Sequence, residues 1–228
     1  MSSCPKRLCQ SIQNTLRLLT DNDLTIYYNQ PVIQETHQRV RITWPNHVTG
    51  KHNSASSFGK ISQYRAIIET GAFTCLLLDG AILRASYSFD SNELTEYNLL
   101  WWPSPFIIDA EDLKIGAVLD IFDLYADSNE WHKDIKMRTP IRFDLDINNA
   151  SKDHPASHVH FQESNCRLHV DRPICFNRFI KFIFKNFYPN IYSRCFFWKD
   201  LQDMSFDVEA VSLIEQPQSY LGWGDKMR

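Results

Sequence analysis

Seven consecutive residues, Ile141-Arg142-Phe143-Asp144-Leu145-Asp146-Ile147, alternate apolar and charged without a fault. A period of two marks a β-strand with one apolar and one polar face, because successive side chains point to opposite sides of a sheet. The segment Ser157-His158-Val159-His160-Phe161-Gln162 repeats the pattern, with Val159 and Phe161 on the apolar side and His158, His160 and Gln162 on the other. If the two pair antiparallel around the loop 148–156, a register centred near Lys152 sets Asp146 opposite His158 and Asp144 opposite His160. A slip of one residue would turn both histidines into the apolar layer, so the parity is strongly specified. After a turn at Ser164-Asn165, Leu168 and Val170 continue the apolar face, and Arg167 and His169 the polar one. The expected product is a three-stranded patch of Arg142, Asp144, Asp146, His158, His160, Arg167 and His169, with His154 in the loop at its edge.

The rest of the chain supplies further strands and the helices to cover them. Leu8, Ile12, Leu16 and Leu19 recur at helical spacing before the polar stop Thr20-Asp21-Asn22-Asp23. Residues 32–44 read as a strand pair or one long strand ended by Pro45, and Tyr64, Ile67 and Ile68 as a short helix. Asp79-Gly80 between two apolar runs predicts a type I′ hairpin, and residues 97–102 complete a meander closed by Pro103 and Pro105. Leu113, Ala117, Ile121 and Leu124 mark a helix, and Phe176, Phe179, Ile180, Ile183, Phe184 and Phe187 the buried stripe of another. Residues 192–198 and 206–213 read as late strands. The fold class is therefore α+β: an antiparallel sheet of hairpins and meanders packed against several helices, one domain over 1–228, with an exposed loop at 47–57 and a C-terminal tail at 217–228.

Composition narrows the function classes. No run approaches the roughly 18 apolar residues of a membrane-spanning helix, and Arg178, Lys181 and Lys185 break the richest one. Six cysteines without a CxxC spacing suit free thiols in a reducing cytoplasm. The formal net charge of −3 gives no general attraction to nucleic acid, so a nucleic-acid partner would need a local basic patch.

The ordinary fate of a polar sheet face is hydration. The choice of residues here is different, because His beside Asp and Arg is the constellation of proton transfer and phosphate recognition. One reading makes His158 a general acid or base, Asp146 or Asp144 the group that orients it, and Arg142 and Arg167 the phosphate binders; replacing His158 by alanine should then abolish activity with folding intact. No cofactor is required by that reading. In a second, Asp144, His158 and His160 hold a divalent metal and leave a position open for water. In a third, the face contacts a protein partner as part of a larger assembly. Cys166 beside His158 is read as a small packed residue, and Asp79 as a turn residue.

The motifs Arg142-Phe143-Asp144-Leu145-Asp146, His154-Pro155-Ala156-Ser157-His158 and Asn165-Cys166-Arg167, in that order, resemble those of an uncharacterised bacterial family, domain of unknown function 2290. The resemblance takes in Asp79-Gly80 with Tyr87, Pro103-Ser104-Pro105 and Asn186-Phe187-Tyr188, and so extends over the chain. It carries Arg142, Asp144, Asp146, His154, Ser157, His158 and Arg167 over as candidate site residues, implies no activity, and implies no role for His160 or His169. A looser likeness to small bacterial toxins with an Arg-x-Asp strand before a His-rich strand points to phosphodiester or nucleotide hydrolysis in a toxin or phage-defence setting.

Overall fold

The backbone of the sheet is its longest hairpin, β5 (Ile82–Asp90) with β6 (Glu93–Trp102). Its two loop residues, Ser91 and Asn92, have φ of 50° and 74°. Positive φ at both central positions is what a two-residue type I′ loop requires, and its twist matches that of the flanking strands. The Asp79-Gly80 hairpin, expected to be of this type, is different. It joins β4 (Cys75–Leu77) to β5 through a three-residue loop: Gly80 N–H donates to Leu77 O and Leu77 N–H to Ala81 O, both at 2.8 Å. Only Gly80 is left-handed, with φ 79°, as in a type I turn closed by a left-handed glycine. Asp79 does more than turn the chain, since its carboxylate pairs with Arg138 at 3.2 Å and accepts from the Tyr188 hydroxyl at 3.0 and 3.1 Å.

In this computed structural model the described residues are 3–36, 39–47, 60–108, 110–115, 118–129, 131–151, 154–161, 166–206 and 220–221. Among the described residues ten strands form one sheet. Besides β4–β6 they are β1 (Thr25–Tyr28), β2 (Val32–Glu35), β3 (Arg39–Thr43), β7 (Ile141–Asp146), β8 (Ser157–Phe161), β9 (Leu168–Val170) and β10 (Tyr220–Leu221). The order is β1-β4-β5-β6-β7-β8-β9-β10, with the hairpin β2–β3 joined to the second half of β5. All pairings are antiparallel except β9–β10, which is parallel. The α+β class and the antiparallel sheet are thus as the residue patterns predict.

One face of the sheet carries the main core. There α1 (Cys4–Asp21) and α6 (Phe176–Phe187) lay Leu8, Ile12, Leu16, Phe179, Ile180 and Ile183 against Tyr87, Leu99, Phe143, Leu145 and Val159. The expected stripe of α6 is buried except for Phe187, which is 40% exposed and stacks on Trp101 with ring centroids 4.3 Å apart. The other face is divided. Near the ends of β4 and β6, α2 (Ile61–Glu69), α3 (Ala110–Ile115) and α4 (Val118–Asp127) contribute Tyr64, Leu113 and Phe122 to a second apolar cluster with Leu76, Ile82, Leu100 and Trp102. The remainder of that face is polar.

Some expectations are corrected. The helical pattern through Leu124 is split into α3 and α4, and Phe122 is buried where Leu124 is 66% exposed. The short α5 (Trp131–Asp134) follows. Residues 192–198 are not a strand: they fall in α7 (Pro189–Arg194) and in a 3₁₀ turn, Phe197–Asp200. Pro189 at the first helical position and the stacking of Tyr192 on Trp198, centroids 5.1 Å apart, favour that compact path. Residue 206 is not in a strand, while 207–213 lie outside the described residues, as does the expected 47–57 loop apart from His47. Of the expected tail at 217–228, Tyr220 and Leu221 form β10 and the remainder is outside the described residues.

A test of the β4–β5 turn follows from Gly80. A Cβ there would meet the Tyr64 hydroxyl at 3.3 Å and the Ser104 Cβ at 3.5 Å, on a backbone with φ 79°. Gly80→Ala should lower stability by about 1–2 kcal/mol in urea denaturation, the cost of a left-handed non-glycine residue. An unchanged midpoint would disprove that geometry.

Candidate functional site

The polar residues of β7 and β8 reach one another through a register that differs from the expected one. Asp144 pairs with His158, and Arg142 with His160. The shift is two residues, so it preserves the face that alternation requires. Its cause lies in the loop. Asp146 N–H donates to Ala156 O at 2.8 Å, and the Asp146 carboxylate accepts from Asn149 N–H at 3.1 Å and Asn149 Nδ2 at 2.7 Å. Asp146 thereby holds the turn, and of the two carboxylates it is Asp144 that stands opposite His158. Ser151 and His154 then form an isolated bridge of their own.

Asp144 is the hub. Its Oδ1 accepts from Asn98 Nδ2 at 2.7 Å. Its Oδ2 faces Arg142 Nε at 2.7 Å, His160 Nε2 at 3.2 Å and His158 Nε2 at 3.8 Å. Asn98 is there because β6 pairs with β7 so that Asn98 lies opposite Asp144. Burial pushes the Asp144 carboxyl up, but the hydrogen bond from His160 and the neighbouring Arg142 and His158 outweigh it and hold the group below its ordinary range.

The histidines are not a hydrated fringe: His158 is 2% and His160 3% exposed. Burial lowers the His158 pKa to about 4, with Asp144 opposing and His160 reinforcing the shift. His158 is therefore neutral at physiological pH. Its Nδ1 lies 2.7 Å from Pro155 O, and because a carbonyl only accepts, Nδ1 carries the proton and Nε2 a lone pair. That lone pair is turned toward a carboxylate oxygen. The rings of His154 and His160 each stand edge-on to His158 at 4.7 Å between centroids. Among the described residues, Nδ1 of His154 and Nδ1 of His160 are buried without a hydrogen-bond partner.

One ligand atom each from Asp144, His158 and His160 lies within 4.8 Å of the others. Atoms bound to a common ion at about 2 Å sit roughly 3–4 Å apart, and the 3.2 and 3.8 Å separations on Asp144 fall in that range. The Pro155 carbonyl fixes His158 as a backbone acceptor commonly fixes a metal-bound imidazole. A nitrogen-rich set with one carboxylate suits Zn²⁺ or Mn²⁺.

Other candidates are placed differently. Ser157 points to the opposite face, where it is fully buried beside the Tyr97 hydroxyl at 3.4 Å; its parity with Val159 already implied this. Arg167 precedes β9, its Nε is buried without a partner among the described residues, and none of the four contacts on Asp144 comes from it. His169 pairs with His158 across β8–β9 and sits at the edge of the patch. The patterns singled out neither Asn98 nor Arg84, although Leu83-Arg84-Ala85-Ser86-Tyr87 alternates in the same way as β7 and so places Arg84 on the polar face.

Among the described residues no helix is long and apolar enough to cross a membrane. No curated protein and no solved structure gives a match to this chain. A protein family does: residues 19–222 match "Uncharacterized conserved protein (DUF2290)". All ten strands of the sheet and its site lie within the matched region, and the chain is a member of the DUF2290 family.

Proposed function

We propose that the chain is a hydrolase acting on phosphate esters of nucleic acid or a nucleotide, with Asp144, His158 and His160 holding a divalent metal ion. One observation carries this reading: the lone pair of a neutral, backbone-fixed His158 Nε2 faces a carboxylate oxygen 3.8 Å away. Two acceptors turned toward each other in a buried site repel unless a cation or proton joins them. A metal bound there would lower the pKa of a coordinated water to near neutrality. The protein's own groups do the rest. Arg142, beside Asp144, is placed to oppose negative charge that develops on a phosphoryl oxygen. His154, in edge contact with His158 and with its Nδ1 unpartnered, is placed to pass a proton to the leaving oxygen.

The contact of Arg142 Nε with Asp144 Oδ2 at 2.7 Å favours a second reading, in which the centre works without metal and His158 Nε2 accepts the proton of water. Dialysis and chelation separate the two. The purified protein should retain about one equivalent of Zn²⁺ or Mn²⁺ and hydrolyse a chromogenic phosphodiester. EDTA should remove both metal and activity, and added metal should restore both. Activity that survives complete metal removal would establish the second reading, and no hydrolysis with the metal bound would overturn the first. Burial of His158 and His160 argues against a face used only for docking a protein. The six free cysteines fit a reducing cytoplasm. A bacterial toxin or phage-defence setting rests on the sequence likeness, and the neighbouring genes test it.

A further inference from the structure

Among the described residues, the arginines that β3 and β7 place on the polar face meet carboxylates, whereas Arg84 of β5 does not. Arg39 meets Asp90 at 3.3 Å and Glu96 at 3.4 Å, Arg41 meets Glu96 at 3.9 Å, and Arg142 meets Asp144 at 2.7 Å. Arg84, on the same face, is 5% exposed. Its guanidinium lies over the Trp44 ring, 4.5 Å from the centroid, and its Nε has no hydrogen-bond partner among the described residues. Among the described residues no carboxylate pairs with it. Its charged neighbours are cations or become so on protonation. Arg142 lowers the Arg84 pKa in addition to the larger effect of burial, and Arg84 in turn acts on His47, whose pKa falls to about 4 chiefly through burial, with Arg41 and Arg84 adding to it.

A buried guanidinium without a counter-ion costs several kcal/mol unless something else compensates it, and stacking on one indole returns about 2 kcal/mol or somewhat more when desolvated, without neutralising the charge. The topology puts this charge on the same row of the sheet as the candidate centre. Arg84 lies opposite Leu100, Leu100 opposite Arg142, and Arg142 opposite His160, so the four occupy one row across β5, β6, β7 and β8. Arg84 and Arg142 are thus two strand spacings apart, roughly 10 Å at the backbone, a gap that two guanidinium side chains leaning inward can close on a single oxyanion.

We infer that Arg84, together with Arg142, forms a phosphate-binding subsite beside Asp144, His158 and His160. The inference rests on the phosphate-ester reading above and names the residue that recognises the anion. The planar fork of a guanidinium matches the oxygens of a tetrahedral phosphate, and an anion would supply the charge that no described carboxylate supplies.

The probe is inorganic phosphate, titrated calorimetrically into chelator-treated protein, so that binding through a metal does not contribute. Phosphate should bind the parent protein and raise its melting temperature, while acetate at equal ionic strength should not. Arg84→Met should weaken phosphate binding about 10- to 100-fold, the range for losing a charge-assisted hydrogen bond, and should leave the phosphate-free protein as stable as the parent or more so. If Arg84→Met does not fold, Arg84→Lys, which keeps the charge and loses the fork, should still bind phosphate but more weakly than the parent. Absence of phosphate binding by the parent, undiminished binding by the variants, or equal binding of acetate would each overturn the subsite. Loss of stability in Arg84→Met with no phosphate effect on the parent would show Arg84 to be a packing residue on Trp44. None of these readouts depends on hydrolysis or metal content, so the subsite and the hydrolase reading can fail separately.

Discussion

Asp144→Asn should reduce metal affinity by more than about 100-fold, beyond the loss typical of a group that only supports a ligand, and should bring phosphodiester hydrolysis to background. The substitution keeps the shape of the side chain and an oxygen for Asn98 to donate to, but removes the negative charge that Arg142, His158 and His160 share. Two consequences are expected together. The site loses its anionic ligand, and Arg142, with a side chain only 13% exposed, is left without its carboxylate. Breaking such a pair costs about 3–5 kcal/mol when it is deeply buried, and somewhat less here because both side chains retain some solvent contact. Metal content and activity must therefore be read below the melting transition of the variant, with the folded fraction followed by circular dichroism. A folded Asp144→Asn protein that binds metal like the parent would remove Asp144 from the ligand set. The same caution applies to His158→Ala, for which position on the polar face alone predicts intact folding. At 2% exposure that truncation leaves a cavity, so His158→Gln is the better test of chemistry.

The second large effect is acid lability. His158 has a pKa of about 4 in the folded protein against an ordinary value of 6.5. Its folded pKa is depressed, so between these values the unfolded chain binds more protons than the native one. The stability that His158 contributes is then complete above pH 6.5 and is lost progressively as pH falls toward 4. At 1.36 kcal/mol per unit the loss amounts to about 3 kcal/mol. His47 shifts in the same direction to about 4, and Asp144, also depressed, extends the loss to more acid pH. Urea denaturation of chelated protein between about pH 4.5 and 7 should show stability rising with pH, with a clearly shallower slope in His158→Gln. Identical slopes for parent and variant would mean that His158 is not buried neutral.

Much of this was legible from local pattern. The helical periodicities of α1 and α6, the alternation of β7 and β8, and the presence of a hairpin around Asp79 are properties of short segments, and the structure contains each of them. The turn at Asp79-Gly80 was harder to read, since Asp-Gly serves both a two-residue loop and a three-residue loop with a left-handed glycine. Residues 192–198 are harder to read because aromatic residues can line a strand or pack a helix end, and here Trp198 gathers Tyr192, Phe184 and Phe197 around it. The family was legible as well, through ordered motifs rather than any single residue.

Which side of the sheet each residue of β7 and β8 faces follows from the chain alone, because a side-chain period of two admits no intermediate orientation. Which residues face each other does not follow from it. That was decided by the loop, where Asp146 caps Asn149 and moves the pairing by two positions, so that Asp144 rather than Asp146 stands opposite His158. The depth of the site was decided by tertiary packing too, since alternation describes a half-buried strand and cannot say that His158 and His160 are sealed from water. Arg84, Asn98, Asp144 and His158 lie on four different strands, and no local pattern brings them together. Only the lateral order of β5, β6, β7 and β8 in one sheet does so.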